Sequence, residues 1–226
     1  MVTHRIQYNC FMEDQYFTEF RQQSYRQLHD LKPQDIIPYT AARVEQNYTI
    51  LARPNEENIK NITSFTKDLQ TIDSNQYYYR PDQLHITILG GLSMKLPKDE
   101  FVARTRPIIT RYHIKFQLVG LGSNGNCSSA LAYPDGFSLH NLREELREAL
   151  HEKGTPYDIH LSRYEYMGWM NYMRYLQPPK EELLKTLRDN EERLFGPLPS
   201  PEVQLYKATS KILNYYPEDT MMYQYI

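Results

Sequence analysis

Little in this chain would hold it together by covalent staples or metal. Its two cysteines, Cys10 and Cys127, are far apart and lack paired spacing, so neither a disulfide framework nor a zinc site is expected. A reducing, cytoplasmic setting is the simplest expectation. No run approaches the ~18 apolar residues of a membrane span, and the start, Met-Val-Thr-His-Arg-Ile-Gln, lacks the apolar core of a secretory signal. A basic excess is also missing. The formal charge is −2, which excludes a protein that wraps long duplex nucleic acid by neutralising phosphates, while leaving a short or small phosphate ligand open. There is no His-x-x-x-His, no Cys-x-x-Cys and no Gly-x-x-x-x-Gly-Lys loop, so no metal or other cofactor is expected.

What the chain has is an ordinary globular balance, 40% hydrophobic and 24% charged over 226 residues, together with 20 tyrosines. Tyrosine pairs a flat apolar face with a hydroxyl, which suits both core packing and walls that stack bases. Apolar residues at three- and four-residue spacing predict one or two helices over 10–31, ended by Pro33 and Pro38. A strand is expected at 47–52 and a helix at 55–70 with Ile59, Ile62, Phe65 and Leu69 as its buried stripe. The run Leu84-His85-Ile86-Thr87-Ile88-Leu89 reads as a strand stopped by Gly90-Gly91. A helix over 97–109 and strands at 113–121 and 128–133 follow. Leucines 139, 142, 146 and 150 predict a helix with a solvated charged face. One or two Tyr- and Met-rich strands at 157–176, a charged helix over 179–194 and a strand from 203 complete the pattern.

Side chains alternate along a strand, so His85 and Thr87 share one face while Ile86 and Ile88 share the other. A half-buried strand that turns its polar residues to solvent would look the same. The functional reading is that imidazole exchanges a proton near neutral pH while the hydroxyl donates to a phosphate oxygen. Leu-His-Ile-Thr-Ile-Leu-Gly resembles the first signature of the two-histidine phosphoesterase superfamily, which includes 2′-5′ RNA ligase-like proteins and cyclic nucleotide phosphodiesterases. The order of elements over roughly 47–215 resembles the family as well.

That resemblance implies an α+β fold of two lobes, with antiparallel sheets flanked by helices around a central cleft. Residues 1–46 would then be an N-terminal helical extension and 47–226 the two-lobed domain. It also implies a second His-x-Thr/Ser strand, so that one histidine acts as base and the other as acid. Two registers compete for that place. His160-Leu161-Ser162 has the residue types, whereas Trp169 to Tyr175, with Trp169 and Asn171 in the two key positions and Arg174-Tyr175 at the end, has the apolar spacing. The first register implies a metal-independent phosphodiesterase, a monomeric hydrolase acting on a cyclic nucleotide or short RNA through His85, Thr87, His160 and Ser162. Trp169, Asn171, Arg174 and Tyr175 would then contact substrate. The second implies a nucleotide- or RNA-binding protein that keeps the cleft with impaired catalysis.

Overall fold

The computed structural model describes residues 3–38, 45–123, 125–154, 165–210 and 222–225, with side chains over 17–38, 47–123, 125–154 and 165–206. The chain opens on a single helix, α1 (Thr3–Asp30), then runs through β1 (Glu45–Arg53), α2 (Glu56–Ile72), β2 (Tyr77–Tyr78) and β3 (Ile86–Leu92). It continues as α3 (Lys98–Arg111), β4 (Phe116–Ser123), β5 (Cys127–Pro134), α4 (Ser138–Leu150) and β6 (Gly168–Arg174). The remaining described elements are α5 (Glu181–Asp189), β7 (Leu194–Leu198), β8 (Glu202–Ser210) and β9 (Met222–Tyr225).

These strands form two antiparallel sheets, one in the order β3-β1-β8-β9 and the other in the order β2-β6-β5-β4-β7. The first depends on a long-range pair: β1 runs beside β8 in register, with Tyr48 opposite Lys207 and Ala52 opposite Val203. Helices α3 and α4 pack behind this sheet, where Tyr48 stacks on Phe101 at 4.4 Å. Helix α2 packs behind the second sheet, and its Phe65 meets Tyr172 of β6 and Phe195 of β7 at 5.8 and 5.9 Å. Asn55 starts α2 by accepting the Asn58 N–H at 2.8 Å. Ile62, Phe65 and Leu69 of the expected stripe are buried, while Ile59 is partly so.

Several local expectations shift. Strand β3 does not stop at Gly90-Gly91 but runs through both, with Gly91 at φ 61°. No side chain hinders that left-handed backbone, so the glycines bend the strand rather than end it. The charged helix ends at Asp189, and β7 follows after a short turn. The charged face of α4 is not solvated throughout: Arg143 is fully buried and Arg147 nearly so, among the leucines. Both occupy helix positions beside the leucine stripe, and both find carbonyl or carboxylate partners there.

Candidate functional site: the cleft where β3 meets β6

Where the two sheets meet, Gly168 at the start of β6 faces Ile86 at the start of β3. A Cβ built on Gly168 would lie 2.6 Å from Ile86 Cγ2, so only glycine allows this approach. The core faces of both strands therefore oppose each other. By strand alternation, His85 and Trp169, the adjacent residues, turn to the other side. His85, Thr87, Trp169, Asn171 and Arg174 are all partly exposed on that side. A register shift in the β5–β6 pairing, between Ser129 opposite Asn171 and Ser128 opposite Met173, puts Arg174 back on the face of Trp169 and Asn171.

Arg143 fixes the two strands together. From α4 its guanidinium donates to the carbonyls of Thr87 at 3.1 Å and Ile88 at 2.7 Å on β3, and to those of Glu165 at 2.7 Å and Met167 at 3.2 Å before β6. Burial pushes its pKa down to about 9, still above neutral pH, with Glu165 opposing that shift. Sequence reasoning missed this residue, although an arginine inside a leucine stripe was the available signal.

His85 is held in one tautomer. Its Nδ1 lies 2.7 Å from the Gln83 carbonyl, which can only accept, so Nδ1 carries the proton and Nε2 the lone pair. The turn that presents this carbonyl is gripped on both sides by Arg53, whose Nη1 donates to Asp82 O at 2.8 Å and Leu84 O at 3.2 Å. Arg53 also donates to Gln204 and Tyr206 of β8, at 3.2 and 3.0 Å. Burial above all, with the charges of Arg53 and Arg174 acting in the same sense and the Gln83 bond opposing them, lowers the His85 pKa to about 4. The imidazole is therefore neutral at pH 7.

Across the cleft, Asn171 Oδ1 accepts from Ser129 Oγ at 2.6 Å and from Cys127 Sγ at 3.4 Å, so its amide N–H groups are the end left for a ligand. Arg174 Nε donates to Tyr79 Oη at 2.6 Å, and Tyr77 meets Tyr79 edge-on at 5.2 Å, so aromatic rings close this end of the cleft. Tyr175 does not line it. It is fully buried, with its hydroxyl 3.1 Å from Ser123 Oγ and 3.0 Å from Ser128 Oγ, and it packs the core because it follows the outward-facing Arg174. His160 and Ser162 lie outside the described residues.

Among the described residues one group could hold a cation: His140, Glu144 and Glu165, whose ligand atoms lie within 4.8 Å of one another. Arg147 already bonds Glu144 at 2.6 Å and both oxygens of Glu165, so its guanidinium supplies the positive charge a metal ion would bring. Among the described residues no helix is long and apolar enough to cross a membrane.

No family model matches the sequence, and a search of curated proteins gives no match either. Solved structures do match. The protein TT0787 of Thermus thermophilus superposes with a TM-score of 0.53 and 15% identity, over 79% of this chain and 94% of that one. Escherichia coli LigT complexed with NADP+ gives 0.53 and 14%, over 81% and 96%, and a structure described as a phosphoesterase gives 0.52 and 15%, over 80% and 95%. At such identities the likeness establishes architecture. The chain has the two-lobed α+β fold of LigT and that phosphoesterase, the fold expected from the likeness of its His85 strand to the two-histidine phosphoesterases.

Proposed function

We propose that this protein binds a nucleotide or the end of a short RNA in the β3–β6 cleft, with one proton-transferring histidine, His85, and little turnover. The observation that supports this reading is the packing of Gly168 on Ile86, residues next in sequence to Trp169 and His85. Trp169 offers no group that transfers a proton at neutral pH, but its indole is a stacking surface. Thr87, the Asn171 amide and the Arg174 guanidinium are donors suited to phosphate oxygens. The structures of the similar LigT with NADP+ and with ATP support a nucleotide as the ligand class.

A second reading is metal-independent phosphodiester hydrolysis with His85 and His160 as the acid/base pair and Thr87 and Ser162 on the phosphate. Its support is the match of His160 and Ser162 to the residue types the chemistry needs. One set of measurements separates the readings. Trp169 is the protein's only tryptophan, so its fluorescence reports the cleft directly. AMP and 2′,3′-cyclic AMP should quench it saturably. Calorimetry should show Trp169→Ala weakening binding by roughly 5- to 100-fold, from the ~1–3 kcal/mol of a stacked base. His160→Ala should be silent. Robust hydrolysis of the cyclic nucleotide, lost in both His85→Ala and His160→Ala, would establish the second reading instead, and no binding of either nucleotide would end both.

A further inference from the structure

Helix α1 lies on the same face of the second sheet as Trp169. Leu131 of β5 pairs with Trp169 and shares its face, and Phe20 of α1 packs on Leu131 together with Met167. Two residues further along β5, Tyr133 is again on that face. There α1 does not seal against the sheet but leaves an open pocket of about 520 Å³, between Phe17 and Arg21 of α1, Tyr133 and Pro197 of the sheet, and Lys115 and Asp135 at the strand ends. That volume is in the range of small-ligand pockets.

The chemistry of its walls is selective. Arg21 lies 5.0 Å over the Tyr133 ring, and Phe17 meets the same ring edge-on at 5.8 Å. Tyr133 is 6% exposed, and burial pushes its hydroxyl up to about 12, so it stays a neutral O–H donor. Arg21 faces the Tyr133 hydroxyl and opposes that burial shift, but neither Tyr133 Oη nor Arg21 Nε, both buried, makes a hydrogen bond of good geometry among the described residues. An unpaired buried polar group costs about 1–3 kcal/mol, and such groups in native proteins call for a partner supplied from outside. Arg21 Nε can only donate, and the neutral phenol brings a second O–H donor. Among the described lining residues, Lys115 and Arg21 stand against the one carboxylate of Asp135.

We propose that this cavity is a second ligand site, for an oxyanion carried on a planar ring, with Arg21, Lys115 and Tyr133 as donors and Phe17 and Tyr133 as the ring's packing surface. It is built by the N-terminal helix and stands apart from the cleft, so it does not depend on how the cleft is read. Phenyl phosphate and benzoate serve as probes, one for a phosphate and the other for a carboxylate. Calorimetry and amide chemical shifts should show saturable binding of at least one of them, with shifts at Tyr133 and Lys115. Arg21→Gln and Lys115→Gln should each weaken it by tenfold or more at unchanged melting temperature, while Trp169→Ala leaves it unchanged. If Arg21→Gln loosens α1, Lys115→Gln, on the sheet, carries the test alone. Binding lost in Trp169→Ala yet retained in Lys115→Gln would overturn the proposal, and so would failure of both probes to bind.

Discussion

The substitution His85→Asn tests the electrostatics of the cleft. Asparagine Nδ2 can keep the hydrogen bond that His85 Nδ1 gives the Gln83 carbonyl, so the variant removes the titration and preserves the contact. The folded-state pKa of about 4 lies below the ordinary 6.5, so the fold holds the neutral imidazole. This stability is fully present above pH 6.5 and is lost as pH falls toward 4, where the folded protein must also take up the proton. The interval from 6.5 to about 4 corresponds to at most about 3 kcal/mol. The residue is only partly buried, so solvent screening leaves about 1–2 kcal/mol as the expected measured effect. Urea unfolding at pH 7, 6, 5 and 4 should show the wild type losing that much more stability than His85→Asn, since carboxylate titrations are common to both proteins and cancel. Imidazole proton shifts should place the His85 midpoint well below 6. Parallel stability curves, or a midpoint at or above 6.5, would refute the reasoning.

Arg143→Met should destabilise the protein by about 3–5 kcal/mol in urea unfolding, because four carbonyls of the β3 and β6 segments lose their donor. Arg143→Lys should recover little of this, since one ammonium cannot replace a fork that spans two strands. Gly168→Ala should cost about 1–3 kcal/mol by overpacking. A double-mutant cycle with Ile86→Ala should return roughly 1 kcal/mol of that cost as coupling, while strict additivity would place the clash elsewhere. Excess chelator should leave nucleotide affinity unchanged, because Arg147 already occupies the carboxylates of Glu144 and Glu165. Loss of affinity restored by a divalent ion would assign His140, Glu144 and Glu165 to a metal.

Local pattern determined much of this protein. The alternation that puts His85 and Thr87 on one face, the leucine spacing of α4 and the Asn55 cap of α2 are all properties of a few consecutive residues, and so they can be read along the chain. Pairing between distant strands cannot be read in this way. Nothing in residues 45–53 specifies 202–210 as their neighbour, and the two-residue β2 exists only because β6 offers it an edge. The same limit governed the cleft. The approach of β6 to β3, by way of a glycine whose missing side chain admits Ile86, was not legible along the chain, and His160 lies outside the described residues. Tyr175 looked like a cleft residue until its hydroxyl was found buried between Ser123 and Ser128, and Arg143 looked solvated until the carbonyls of two segments were seen to converge on it. A side chain's own chemistry is written in the sequence, but its partners are supplied by chain segments tens of residues away, and only the tertiary structure decides which of them arrive.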